Sequence, residues 1–296
     1  ILIYGPTASG KSKSALKLAE KINGEIINAD SMQVYKELKI LSARPLKKDC
    51  QKIKHYLYGF QSVKKDFSAG DWLKLANQNI LLIKRKKKIP ILVGGTGLYF
   101  KALTDGLVKI PKIPIKFRNK IRSLHKKIGQ EKFFSKLINI DPLIKNNINK
   151  FDTQRSIRAY EIKTFTKKSM INWFKDTKPY FNDDVFYKIY LDSPRDEIIK
   201  KIYLRTHQMI KNGAIKEVKN FLKLKVSKKK TANKAIGITE IKEFLEKKIS
   251  ISVVIERIAV KTRQYAKRQT TWGRGKMSDW TRISPKNSSK FLKKFR

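Results

Sequence analysis

Gly5-Pro6-Thr7-Ala8-Ser9-Gly10-Lys11-Ser12 follows directly on the apolar run Ile1-Leu2-Ile3-Tyr4. The octapeptide satisfies the pattern G-x-x-x-x-G-K-[ST], and its position decides how it reads. A buried strand, a glycine-bearing loop and a helix beginning near Lys11 bring successive backbone N–H groups onto a phosphate at a helix N-terminus. The expected ligand therefore carries at least two phosphates. Gly5, Pro6, Thr7, Ala8, Ser9 and Gly10 form the cradle, Lys11 reaches the terminal oxygens, and the Ser12 hydroxyl ligates a bridging magnesium ion. The loop alone leaves open whether those phosphates belong to a nucleotide.

Outward from the loop, strand and helix signals alternate: helix Lys11–Lys21, strand Glu25–Asn28, helix Ala69–Lys86, strand Ile89–Val93. This is the grammar of βαβ units, and it predicts an α/β fold, a P-loop NTPase-like parallel sheet flanked by helices. Ligands in such sheets collect beyond the carboxyl ends of the strands. From about Pro111 to Asp184 the signals become polar and helical, with no strand, and the run Val185–Leu191 then returns to the sheet. A catalytic core over 1–110 and 185–296, interrupted by a helical insertion over 111–184, is the predicted organisation. Further helices are expected at Asp196–Met209, Ala214–Leu224, Ile236–Lys247 and about Ser252–Gln269. On the last, Ile251, Ile255, Ile258, Thr262 and Tyr265 are expected to face the core, with Arg257, Lys261 and Arg268 outward.

The 296 residues carry 69 Lys+Arg against 24 Asp+Glu, a formal charge of +45 that attracts polyanions at low salt. Most of the excess is lysine spread along the whole chain, so the charge permits a nucleic-acid partner without locating it. One cysteine, Cys50, excludes an internal disulfide framework, and the three histidines, His55, His125 and His207, are too scattered for a metal cage. No apolar run reaches the roughly 18 residues of a membrane span, which makes a cytoplasmic enzyme with no membrane partner the expectation. The opening on a strand without Met suggests that a few residues precede it, and the Lys-rich tail after Ser284 is expected to fray.

Asp30 stands at the end of the second predicted strand, across the cleft from the loop. There it could accept a proton from a nucleophile aimed at the phosphate-bearing substrate, or simply cap a helix; position alone leaves both readings open. P-loop NTPases usually hold magnesium with a second acid at the end of another strand. Here the strand Ile89–Val93 runs into Gly94-Gly95-Thr96, and Asp192 reads as a helix cap, so the equipment for nucleotide hydrolysis is incomplete. Gln154 and Arg158 share a helix face that could grip phosphates or base edges, although on the residues alone an Arg158–Glu161 surface pair is the simpler reading. Arg205 could be a plain solvated charge. The stretch Thr262–Trp272 interleaves cations with aromatics in a way suited to nucleic acid or to core packing.

In order along the chain, Gly5–Ser12, Asp30-Ser31-Met32-Gln33-Val34-Tyr35, Gly94-Gly95-Thr96-Gly97-Leu98-Tyr99, Gln154-Arg155…Arg158-Ala159…Glu161 and Thr262–Trp272 resemble the signatures of the tRNA dimethylallyltransferase (tRNA isopentenyltransferase) family. The resemblance implies that the diphosphate is dimethylallyl diphosphate and that the acceptor is the exocyclic N6 amine of the adenosine just 3′ of a tRNA anticodon. It also explains the missing acid, because carbon–oxygen cleavage transfers no phosphoryl group. By the same resemblance, Arg205 joins Lys11, Ser12 and magnesium at the departing diphosphate, and Asp30 is the general base. Asp30, Ser31, Met32, Gln33 and Thr96 line the adenosine channel. Arg118 and Gln154, Arg155, Ser156, Ile157 and Arg158 meet the anticodon stem-loop. The segment Lys234-Ala235-Ile236-Gly237 matches a further family segment. Two departures, Ile238 and Gly273, fall where the family carries an aromatic and a large apolar residue, and bear on packing or RNA contact. A monomer suffices for every role. Prenylation of free adenine nucleotides, an ATP-dependent small-molecule kinase and a tRNA-binding protein without catalysis are the alternatives.

Overall fold

The computed structural model describes residues 1–284, Asn287 and Phe291, apart from the Lys47 side chain. The Lys-rich tail expected to fray otherwise lies outside the described residues. Backbone contacts divide the chain into a core, 1–104 with 181–296, and a second unit, Asp105–Tyr180.

The core begins β1 (Leu2–Tyr4), α1 (Lys11–Lys21), β2 (Gly24–Asn28), α2 (Lys47–Lys52), β3 (His55–Tyr56), α3 (Ala69–Arg85), β4 (Ile89–Gly94), α4 (Gly97–Thr104). The second unit contains α5 (Ile115–Ile140), α6 (Thr153–Thr166) and α7 (Met170–Lys175). The core resumes with β5 (Lys188–Leu191), α8 (Arg195–Lys211), α9 (Ala214–Lys223), α10 (Ile238–Leu245), α11 (Ile251–Lys276) and β6 (Thr281–Ile283). All pairings in the six-stranded sheet are parallel, in the order β3-β2-β4-β1-β5-β6.

Alternation along the central strands explains why the sheet is covered on both faces. Leu2 and Tyr4 of β1, Ile27 of β2 and Leu92 of β4 join Trp72, Ile80 and Phe100 in one apolar cluster. Ile3, Ile26, Ile91 and Val93 join Ala15 and Leu18 of α1 in another. Burial on both faces is the usual condition of a parallel sheet. The short edge strands β3 and β6 were not expected, since two or three residues carry no readable period; they form by backbone pairing beside β2 and β5.

The boundaries of the second unit lie ahead of the expected 111 and 184. Its entering and leaving segments meet: a Cβ on Gly106 (φ +89°) would lie 2.7 Å from the Lys178 carbonyl oxygen, so both belong to it. Ile113, Leu137, Ile144, Ala159 and Ile162 form its own apolar core. Gly129 (φ 77°) interrupts α5.

The buried stripe of α11 differs from the one expected. Val254, Ile258, Ala259, Thr262, Ala266, Gln269 and Gly273 are buried, whereas Ile251 is exposed and Ile255 and Tyr265 are half-buried. The helix packs on α8 through Ala259 and Ala266 and against the α9–α10 cluster through Val254 and Ile258, which broadens its buried face. Arg257, Lys261 and Arg268 face outward as expected. Ile238, one of the two departures, is buried against α9 and α11. At the other, a Cβ on Gly273 would lie 2.7 Å from Cε1 of Tyr4 and 3.1 Å from Cζ of Tyr190, because those rings fill the space. Gly273→Leu is expected to destabilise the protein by about 1–3 kcal/mol through overpacking. Urea denaturation checks this; an unchanged midpoint contradicts the packing.

Candidate active site

The loop after β1 is held from several directions. Thr7 N–H donates to Oε1 of Gln269 at 2.8 Å, and Ser9 N–H to the Pro6 carbonyl at 3.2 Å. Gly5 is required, since a Cβ there would lie 2.7 Å from Oγ of Ser9. Gly10 (φ 86°) is the N-cap of α1 and provides no side-chain cap. The first-turn N–H groups of α1 therefore have no capping acceptor and form an anion site with the positive end of the helix dipole. Nζ of Lys11 donates to the Pro6 carbonyl at 3.2 Å, and Ser12 is exposed in the first turn.

Arg205 on α8 reaches this loop: its Nη2 donates to the Thr7 hydroxyl at 2.9 Å. Burial pushes its guanidinium below the usual arginine range, with Asp30 opposing the shift. Burial likewise pushes Lys11 down to about 8, opposed by Asp30 and reinforced by Arg205. The two cations are thus desolvated side by side at an open helix end, with Asp30 as their negative neighbour. A diphosphate supplies the charge that such a site lacks.

Asp30 caps no helix, because the chain after β2 runs through turns until α2. Its Oδ1 accepts Met32 N–H at 2.9 Å. Asn28 fixes its peptide from both sides, Oδ1 accepting Asp30 N–H at 2.8 Å and Nδ2 donating to the Asp30 carbonyl at 3.0 Å. Asn28 in turn donates to the Leu57 carbonyl and receives Nε1 of Trp72 on its own carbonyl at 2.7 Å. Asp30 lines a cavity of about 310 Å³ with Thr7, Ser31, Met32, Arg205 and Tyr265. Lys234, Ala235 and Ile236, the family segment singled out in the sequence, line it too. Thr96 accepts Ser31 N–H at 2.9 Å and hydrogen-bonds the Tyr265 side chain, whose phenol burial pushes up. Gln33 does not join this wall; its amide donates to the Ser42 carbonyl at 2.9 Å and holds the following loop.

No second acid fits beside the loop at the end of β4. A Cβ on Gly94 would lie 2.0 Å from the Ala29 carbonyl oxygen, and one on Gly95 2.1 Å from Nε2 of Gln269. Asp192 does not cap α8 but lies 3.7 Å from Nη2 of Arg274. No group of three or more His, Cys, Asp or Glu able to hold a metal occurs among the described residues. The exposed Ser12 hydroxyl is the side chain here that could serve a magnesium ion, an ion that takes few protein ligands.

Within the second unit, the buried Glu161 of α6 gathers three guanidinium groups. Nε of Arg118 lies 3.2 Å away, Nη1 of Arg158 3.2 Å and Nε of Arg122 3.7 Å. The simple Arg158–Glu161 pair is therefore present, but as part of a cluster with excess positive charge and half-exposed arginines. Arg155 pairs with Asp152 at 3.4 Å, and Gln154 is exposed. Ser156, expected to meet RNA, is instead buried, donating to the Asp152 carbonyl and accepting from Gln130. Ile157 is half-buried. Sequence reasoning missed Asn28, Arg122 and the side-chain role of Gln269. The first and last are polar residues on otherwise apolar faces, a signal that could have found them; Arg122 follows Arg118 by one helical turn.

The lowered Lys11 value has a definite sign. In the free protein its charge is lost as pH rises through about 8, whereas a bound diphosphate favours the charged form. Pyrophosphate binding near pH 8 is therefore expected to take up about half a proton more in the wild type than in Lys11→Met. Calorimetry in buffers of different ionisation enthalpy reads the difference; equal uptake contradicts a desolvated Lys11.

An IPP transferase family model matches residues 33–276. A tRNA dimethylallyltransferase of Pelagibacter ubique is 56% identical over 296 residues, covering 100% of this chain and 95% of that protein. One from Agrobacterium fabrum is 40% identical, covering 96% of each. Among solved structures, a tRNA isopentenylpyrophosphate transferase of Bacillus halodurans is similar with a TM-score of 0.70 and 28% identity, over 99% of this chain and 94% of that one. A eukaryotic dimethylallyltransferase described as acting on tRNA gives 0.79 at 29% identity, over 92% of this chain and 69% of that one. The family match starts beyond the phosphate loop, but the whole-chain alignment with the Pelagibacter enzyme spans the loop and Asp30 as well. The chain belongs to the IPP transferase family.

Proposed function

We propose that the protein transfers a dimethylallyl group from dimethylallyl diphosphate to the N6 amine of the adenosine next to a tRNA anticodon, acting in the cytoplasm as a monomer. The observation that carries this reading is that Asp30 is the single carboxylate lining a cavity it shares with Arg205 and Thr7 of the phosphate loop, while Gly94 at the end of β4 leaves no room for a side chain there. Such a site suits a reaction in which the diphosphate leaves intact.

The loop N–H groups, Lys11 and Arg205 hold the diphosphate and stabilise the charge that grows on it as the carbon–oxygen bond breaks. Ser12 would hold a magnesium ion beside the diphosphate, and such an ion would supply further positive charge to the leaving group. The adenine nitrogen forms the new bond to the allylic carbon, and Asp30 takes the proton the amine releases. Much of the acceleration comes from positioning, because an adenine amine is a weak nucleophile. The base must leave its stack to enter the cavity. The arginines around Glu161, with exposed Gln154, offer contacts to RNA phosphates, which makes tRNA the favoured acceptor over a free adenine nucleotide. No described helix is long and apolar enough to cross a membrane.

With magnesium and labelled dimethylallyl diphosphate, label is expected in an anticodon stem-loop at that adenosine and not in AMP. Asp30→Asn, which keeps an oxygen for the Met32 N–H, should lower kcat by about 100-fold or more while stem-loop affinity stays within twofold. Label entering AMP alone, or ATP consumption without modified RNA, contradicts the reading. Arg122→Ala is expected to weaken stem-loop binding and reduce the salt slope by about one. An unchanged slope excludes Arg122 from phosphate contact.

A further inference from the structure

Gln269 lies one helical turn beyond Tyr265 on α11 and is 5% exposed. Its side chain joins two loops that the chain brings together from far apart. Oε1 accepts Thr7 N–H at 2.8 Å, and Nε2 donates to the Gly95 carbonyl at 2.8 Å. Its own backbone carbonyl accepts the Tyr4 hydroxyl at 2.6 Å, where β1 ends. A single residue thus ties together the end of β1, the phosphate loop and the turn after β4.

The chemistry of the position is narrow. It needs an acceptor toward Thr7 and a donor toward Gly95 on the same terminal group, without charge, and a primary amide provides both. A Cβ on Gly95 would lie 2.1 Å from Nε2, so a side chain there would displace the amide from this position. The bond engages the Thr7 N–H with α11 and so fixes the residue whose hydroxyl receives Nη2 of Arg205. The diphosphate cradle and the Arg205 guanidinium are therefore oriented through the same residue.

We propose that Gln269 is a positioning residue for diphosphate binding and departure, setting the direction of the Thr7 peptide and, through the Thr7 hydroxyl, the place of Arg205. The inference rests on the reading of this loop as a diphosphate site, yet its first readout, binding of inorganic pyrophosphate with magnesium, needs no turnover. A failure of prenyl transfer in the wild type would therefore leave that readout intact.

Two variants test it. Gln269→Leu removes both side-chain bonds. Gln269→Glu keeps an acceptor, loses the donor when ionised and regains it when protonated. Well below the melting temperature of each variant, Gln269→Leu is expected to bind pyrophosphate about tenfold or more weakly, while stem-loop affinity stays within twofold. Gln269→Glu should bind pyrophosphate increasingly better, relative to wild type, as pH falls and the introduced carboxyl protonates. Its kcat with dimethylallyl diphosphate, taken relative to wild type at each pH, should recover over the same range. If Gln269→Leu does not fold, the pH profile of Gln269→Glu carries the test. Folded variants with lowered melting temperatures but wild-type pyrophosphate affinity and no new pH dependence would overturn the proposal and leave Gln269 a packing residue.

Discussion

Two desolvated cations beside an open helix end govern this structure. Lys11 and Arg205 are held near the N-terminus of α1, whose N-cap, Gly10, supplies no side chain, and burial pulls both below their ordinary values. A buried charge is costly unless it is paired. Asp30 opposes the shift at both residues, yet one carboxylate cannot match two cations and a helix dipole. The surplus is the binding energy available to a diphosphate, and it increases as that group gains charge on leaving. Other features maintain this imbalance. β4 ends flush against Ala29 with no room for a second acid, and Gln269, Asn28 and Trp72 fix the loops by neutral hydrogen bonds that add no countercharge.

The second unit shows a related electrostatic device. Glu161 is buried and anchors Arg118, Arg122 and Arg158 by charge-assisted contacts, so one negative charge orders three positive ones. Ordering long side chains in advance lowers the entropy lost on meeting an RNA backbone. The ion pair and the RNA contact, which looked like rival explanations of the Arg158–Glu161 spacing, are compatible once the arginines outnumber the acid.

Much of the fold was legible because its signals are local. The phosphate loop must sit between a buried strand and a helix, and α1 spans Lys11–Lys21 as its period predicts. β3 and β6 were illegible because their pairing, not their composition, makes them strands. The buried face of α11 was misjudged because a helix packed on several sides follows its neighbours rather than the largest apolar residues; a glutamine and a glycine lie on that face, while Ile251 is exposed. In the site, Lys11 and Asp30 could be named in advance from motifs and Arg205 from the family resemblance, whereas Thr96 holds Ser31 N–H and the Tyr265 side chain and does not line the cavity. Gln33 and Ser156 belong to the same motifs, but the structure gives their side chains to loop and core contacts. Motif membership identifies a segment; only the direction of each side chain separates those that face a ligand from those that hold the segment in place.

The central claim is that the loop holds a leaving group rather than a phosphoryl donor, and the fate of one oxygen decides it. Dimethylallyl diphosphate carrying ¹⁸O at the bridge between carbon and phosphorus, turned over with an anticodon stem-loop, should release all of the label in pyrophosphate. Mass spectrometry of the products reads this directly. Label retained in an allylic alcohol or in the RNA would mean that a phosphorus–oxygen bond is cut, and would contradict the account.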